Sequence, residues 1–273
     1  MSAVPSRNAP HRRSLSAAEI LLPVALGAAG LLGWQLVVTA FAIPHYILPG
    51  PWLVAKTLWT DWGTLWPALL VTLEVTFLAL GAAAAGGVAL ALLFAQSKWI
   101  ELGLFPYAIV LQVTPIIAIA PLILIYVDNT HVALVLCAWI VAFFPILANT
   151  TLGLNSADHN LVDLFRLQGA TRWQTLRYLR IPTALPYFFA GLRIAGGLAL
   201  IGAVVAEFTA GTAGRGAGLA FRILEAGYRL NIPRMFAALA LITASGIAIF
   251  AALTALSHLA LRRWHESAVT RDA

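Results

Sequence analysis

Few side chains in this sequence are equipped for chemistry, and most of them lie in one polar stretch, Asp163 to Pro186, reading DLFRLQGATRWQTLRYLRIPTALP. It holds Arg166, Arg172, Arg177 and Arg180 in a chain that is only 10% charged. Four cations without a catalytic constellation beside them offer binding rather than catalysis. The rest of the chain supplies no catalytic pattern either. A G-x-x-x-x-G-K-[ST] phosphate loop is absent, and the glycines at 211, 214, 216 and 218 miss the G-x-G-x-x-G spacing. There is no H-E-x-x-H or C-x-x-C metal pattern and no G-x-S-x-G elbow.

Local residue chemistry predicts a helix, a turn and a second helix within this stretch. Leu161 to Leu167 places its apolar residues on one side of a short helix, and Gly169, with no Cβ to clash, suits the left-handed residue that ends helices. Thr171 followed by Gln174 is a capping box, so a new helix is expected to start there. Trp173, Leu176 and Leu179 are expected on one face of it, and Pro182 is expected to stop it. A basic helix resting on anionic lipid is the competing reading. Lipid contact, however, requires neither the glycine nor a capped second helix at fixed spacing.

This pattern resembles the EAA loop of bacterial ABC importer permeases, roughly E-A-A-x-x-x-G followed by I/L-P. Asp163, Leu164 and Phe165 stand where Glu-Ala-Ala would be, Gly169 is the motif glycine and Ile181-Pro182 the closing pair. The run GATRWQTLRYLRIPTALPYFFAGLRIA, Gly169 to Ala195, is similar to the nitrate, sulfonate and taurine branch of those permeases, and LQVTPIIAIAPLILIY, Leu111 to Tyr126, is similar to the family's P-x-x-A-x-x-P-L segment. The resemblance implies a type I importer permease fold in which Asp163, Gly169, Ala170, Thr171, Arg172, Trp173, Ile181 and Pro182 form a coupling loop seated in a groove of an ATP-binding subunit. Bulky Leu164 and Phe165 in place of two alanines imply a differently shaped groove. It further implies a pair of permeases around one pathway, ATP and Mg²⁺ held only by the partner, and an external solute-binding protein.

The elements that must position this loop are apolar spans. With 273 residues, 61% hydrophobic, and a mean hydropathy of +0.88, the chain reads as an all-α membrane protein rather than a soluble domain. Residues 1–18 read as a disordered basic tail, 19–264 as one membrane domain with the coupling loop at 155–183, and 265–273 as a second tail. Six transmembrane helices are expected: Ile20–Ala40, Pro67–Ala95, Leu102–Val127, Val132–Leu154, Ala184–Ala206 and Met235–Leu261. LPGPW at 48–52 is turn chemistry, followed by residues that the resemblance assigns to a short helix along the membrane. The third span carries Pro106, Pro115 and Pro121 and is expected to be kinked. Leu219–Arg229 reads as a short helix outside the membrane, and Asp128–His131 as a polar turn with a solvated His131.

Ionisable or hydrogen-bonding residues within spans are the candidates for a translocation pathway. Glu74 and Arg193 are the charged ones, with a helix-end salt bridge and snorkelling as their ordinary alternatives. Gln112 and Thr114 offer hydrogen bonds to a solute or, equally, between helices. Cys137, alone in its type, reads as a buried small hydrophobe.

Sorting Lys and Arg to alternate sides of six spans gives eleven against five, which puts both termini and the polar stretch in the cytoplasm of a bacterial inner-membrane protein. The net charge of +6 is spread over short loops, the signature of membrane topology and not of a nucleic-acid face. Two classes of transporter remain. One is an ABC importer permease for a vitamin or pyrimidine precursor, or for a sulfonate or nitrate-type anion. The other is an ion-gradient-driven secondary transporter, which predicts repeated halves and a carboxylate near mid-membrane.

Overall fold

The computed structural model describes residues 17–211 and 216–262, and these are all helix or connection. Residues 1–16 of the basic tail and the whole of the second tail lie outside the described residues, as do Gly214 and Arg215. In order the elements are α1 (Ala17–Ala40), α2 (Pro51–Thr60), α3 (Trp62–Gln96), α4 (Lys98–Val113), α5 (Ile116–Tyr126), α6 (Thr130–Asn155), α7 (His159–Leu167), α8 (Arg172–Thr175), a π-helical turn (Leu176–Arg180), α9 (Ile181–Ala210), α10 (Leu219–Tyr228) and α11 (Ile232–Leu261). Among the described residues five continuous helical stretches are long and apolar enough to cross a membrane, and α4 with α5 supplies a sixth crossing if the pair is counted as one span.

Close contacts give the directions of the spans. His131, at the start of α6, lies 3.5 Å from Glu74 in the first half of α3, and Gly87 further along α3 packs on Ile146 and Leu147. The two helices therefore run parallel. In α6 and α9 the order reverses: Gly153 meets Ala184 and Tyr187, Gly191 meets Pro145 and Asn149, and Gly202 meets Ala138. Gly196 against Ile249 and Gly246 against Leu200 make α9 and α11 antiparallel as well. The ends of α3, α6 and α11 and the start of α8 thus share one face of the bundle. Because α3 and α6 run the same way, the α4–α5 pair must carry the chain back across between them, which completes six crossings.

That third crossing is not one kinked span. α4 and α5 meet at 100° with Thr114 and Pro115 between them. Proline has no N–H to continue the ladder and biases the preceding residue to extended backbone, and Thr114 has φ −73 and ψ 122. Pro106 and Pro121, by contrast, sit inside helices. The expected polar turn at 128–131 is shorter than read, because Asn129 caps α6, its Oδ1 accepting from the Val132 N–H at 3.2 Å.

Glycine and alanine form much of the interior. Ala83, Ala91, Ala142, Ala195 and Ala199 are fully buried in the central cluster with Ile146 and Leu147. In lipid, where apolar burial does not drive association, small residues let backbones approach closely enough for van der Waals packing. Cys137 is buried as expected, among Val75, Ala79 and Ala203. At the opposite face Asp61 receives Arg234 Nε at 2.6 Å, tying the α2–α3 junction to the start of α11. α1 stays at the periphery, held by the Trp34–Phe236 ring contact and by Gln35, whose Oε1 accepts from the Trp52 N–H at 3.3 Å. The short helix expected after LPGPW is α2, begun by Pro51 after Gly50.

Candidate functional site

The polar stretch begins as a helix–turn–helix at the face shared by the ends of α3, α6 and α11. α7 opens with Asp158, whose Oδ1 accepts from the Asn160 N–H at 2.8 Å. It closes in a Schellman motif. Gly169 has φ +73, its N–H donates to the Arg166 carbonyl at 3.0 Å, and the Ala170 N–H donates to the Phe165 carbonyl at 2.9 Å. The next residue starts the new helix. Thr171 Oγ1 accepts from the Gln174 N–H at 3.2 Å, while the Thr171 N–H donates to Gln174 Oε1 at 2.7 Å. With both helix ends satisfied and only Gly169 and Ala170 between the capping residues Gln168 and Thr171, the angle between α7 and α8 is set by backbone chemistry.

The second helix does not stop at Pro182. α8, the π turn and α9 form one helical stretch from Arg172 to Ala210. The Ile181 N–H reaches back five residues to the Leu176 carbonyl. A π turn widens the backbone just where Pro182 contributes no N–H, so the proline is absorbed at the first turn of α9 instead of ending the helix. Leu176 and Leu179 are buried, whereas Trp173, expected beside them, is 62% exposed.

The structure thus brings Asp163, Gly169, Ala170, Thr171, Arg172 and Trp173 onto one protrusion and leaves Ile181 and Pro182 half-buried inside the continuous helix. Asp163 is 3.3 Å from Arg166, an exposed pair within α7. Arg172 and Arg180 have no carboxylate within 4.0 Å among the described residues, and with Arg166 they line a cavity of about 490 Å³ closed by Ala95 and Gln96 at the end of α3. Leu164 and Phe165, the bulky replacements, border a second hollow of about 420 Å³ with Gly169, Gln174 and Tyr178. Exposed apolar and cationic groups therefore sit side by side on this helix–turn–helix.

The pathway candidates separate. Gln112 and Thr114 share a cavity of about 330 Å³ at the α4–α5 break, walled by Pro115, Val141, Pro145 and Leu198. Thr114 Oγ1 donates to the Val110 carbonyl at 2.6 Å, while Gln112 is exposed. Glu74 and Arg193 are not among the residues that line this cavity. Glu74 faces His131 instead, its Oε1 3.5 Å from the His131 Nε2 in the first turn of α6.

One ionisable residue escapes a sequence reading altogether. Glu207, one residue beyond the expected fifth span Ala184–Ala206, lies in the last turn of α9 and is 1% exposed. Its Oε2 accepts from the Ala220 N–H at 3.0 Å, at the start of α10. On α10 itself, Glu225 accepts from Arg222 at 2.8 Å and lies 3.0 Å from Arg229. These cations, Arg222 foremost through its hydrogen bond, hold the Glu225 carboxyl below the ordinary carboxylate range.

Residues 83–264 match the family described as binding-protein-dependent transport system inner membrane component. The chain is 36% identical to the riboflavin transport system permease protein RibX of Chloroflexus aurantiacus, over 96% of this chain and 97% of that one. It is 31% identical to the formylaminopyrimidine transport permease protein ThiX of Halalkalibacterium halodurans, over 84% and 90%, and 30% identical to the taurine transport system permease protein TauC of Escherichia coli, over 90% of each. Among solved structures, an amino acid ABC transporter superposes with a TM-score of 0.57 at 23% identity, covering 72% of this chain and 92% of that one. The inward-facing MetNI methionine ABC transporter superposes at 0.54 and 18%, covering 78% and 98%.

Proposed function

We propose, for a chain that belongs to the family of binding-protein-dependent transport system inner membrane components, that it imports a planar heterocyclic nutrient of the vitamin or pyrimidine-precursor class. Membership makes it the membrane-spanning permease subunit of an ABC importer, with ATP hydrolysis and solute capture on separate subunits. An ion-gradient-driven transporter is thereby set aside. The substrate class is supported by the higher identity and near-complete coverage of the riboflavin relative against the taurine one.

The single observation that carries the coupling is the Schellman turn and capping box at 169–174, which stiffen an exposed cationic and aromatic tip. An element of this kind fits a groove on a soluble subunit, and here Arg172 and Trp173 are its contact residues, with Asp163, Gly169, Ala170 and Thr171 holding the shape. ATP and Mg²⁺ belong to that partner. Two copies of the permease form the pathway, and the cavity at Gln112 and Thr114 lies along it.

Reconstituted with its ATP-binding subunit and solute-binding protein, the permease is expected to take up labelled riboflavin or a formylaminopyrimidine in preference to taurine or nitrate. Uptake should vanish when the ATP-binding subunit is left out. Preference for an inorganic or sulfonate anion would move the chain to the other branch, and uptake without the ATP-binding subunit would remove the importer assignment.

Orientation follows from charge. Lys98, Arg166, Arg172, Arg177, Arg180 and Arg262 lie on the face of the protrusion, against Lys56, Arg222, Arg229 and Arg234 opposite, so the first face and both termini are cytoplasmic. In a Cys137→Ser background, an Arg172→Cys variant should react with an impermeant maleimide only after the cells are opened. Labelling in intact cells would invert the topology.

A further inference from the structure

α10 has no N-cap side chain of its own. Gly218 precedes it and offers none, yet the first backbone N–H groups of a helix need partners when they are buried. Two other helices provide them. The Leu219 N–H donates to Thr72 Oγ1 of α3 at 2.9 Å, and the Ala220 N–H donates to Glu207 Oε2 of α9 at 3.0 Å. Thr72 and Leu219 are fully buried and Glu207 is 1% exposed. Gly218 lies so close to the carboxylate that a Cβ at this position would collide with it. Its φ of −82 is open to any residue, so the glycine is required by the approach of Glu207 and not by backbone strain.

A buried carboxylate is costly, and this one keeps Oε1 without a partner among the described residues. What Glu207 adds is a connection. It ends the helical stretch that begins at Arg172, 39 residues and roughly 58 Å long at 1.5 Å per residue. The same stretch carries the coupling loop at one end and the fastening of α10 at the other.

We propose that Glu207 is a positioning residue of the transport cycle: with Thr72 it latches α10 to α9 and α3, so that the helix rooted in the coupling loop and the helix on the external face move as one body. The latch rests on the importer reading above, since it needs a coupling loop in the cytoplasm and a binding protein outside. Because coupling between two sites is reciprocal for binding, a loaded binding protein pressing on the external face is felt at the ATP-binding subunit through α9.

The test uses the assembled transporter in nanodiscs and the ratio of ATP hydrolysis with loaded binding protein to hydrolysis without it. Glu207→Ala is expected to lower that ratio at least tenfold while the ATP-binding subunit still co-purifies. Glu207→Gln, which keeps an accepting Oε for the Ala220 N–H, should recover it to within threefold of wild type. Gly218→Ala should resemble Glu207→Ala, and adding it to Glu207→Ala should change little, because the group it collides with is gone. Three outcomes overturn the latch: Glu207→Ala within twofold of wild type, Glu207→Gln as impaired as Glu207→Ala, or equal proportional losses with and without binding protein. If Glu207→Ala does not assemble, Gly218→Ala decides by the same ratio. A wild-type transporter that loaded binding protein fails to stimulate would sink the importer reading instead, a separate result.

Discussion

Replacing Gly202 with leucine is expected to abolish the folded transporter, whereas Gly197→Leu, five residues earlier on the same helix, should leave it intact. A Cβ at position 202 would stand 2.8 Å from Ala138 Cα, and at position 191 it would stand 2.7 Å from the Pro145 carbonyl oxygen. These obstacles are backbone, not the ends of side chains that swing away. The α6–α9 pair would have to separate over the whole distance from Gly191 to Gly202, roughly 16 Å of helix. Overpacking a soluble core costs about 1–3 kcal/mol. Here the leucine adds four carbons against backbone, and the bilayer offers no hydrophobic gain for keeping the helices together. At Gly197 nothing lies within 4 Å of the added Cβ, and the residue is exposed. There the change should be neutral or gain a few tenths of a kcal/mol from helix propensity. Detergent-solubilised yield and thermal aggregation temperature, compared for both variants and for Gly202→Ala, measure the contrast. Equal behaviour of the 197 and 202 variants would contradict the packing described here.

The parts of the site legible in the sequence are those decided within four or five residues. Thr171 and Gln174 satisfy each other's backbone across three positions, and Gly169 needs only its own φ, so spacing alone places both. Pro182 was misleading because the rule that proline ends a helix assumes α spacing. A π turn in which Leu176 and Leu179 are buried removes the conflict, and burial of that kind is tertiary. Pro106, Pro115 and Pro121 look alike in the sequence, yet only Pro115 breaks the helix, next to a cavity shared with Val141 of α6 and Leu198 of α9. Glu207 was invisible for the plainest reason. A carboxylate beside a glycine-rich run reads as loop, and its burial depends on the start of α10 and on Thr72, which is 147 residues from the Leu219 it binds.

At the other end of α9, Gly169→Val is expected to uncouple the transporter while leaving it in the membrane. Gly169 is exposed and nothing lies within 4 Å of the place a Cβ would occupy, so space is not at issue. The backbone is. At φ +73 a β-branched side chain clashes with its own chain, and holding it there costs on the order of 1–3 kcal/mol. The Schellman bonds to Arg166 and Phe165 are too few to enforce that strain at an exposed turn, so α7 unwinds at its end and Thr171 loses its fixed position. Arg172 and Trp173 then leave the place where a partner's groove would meet them, while α9 and its packing on α6 are untouched. Asparagine tolerates the left-handed region, so Gly169→Asn serves as the control with a side chain but without the strain. The expected result is normal membrane insertion for both variants, at least a tenfold loss of ATP-driven uptake and of ATP-binding-subunit co-purification for valine, and near-normal values for asparagine. Full uptake in Gly169→Val would show that the turn geometry does not govern coupling, and equal loss in Gly169→Asn would assign the effect to the side chain instead of to φ.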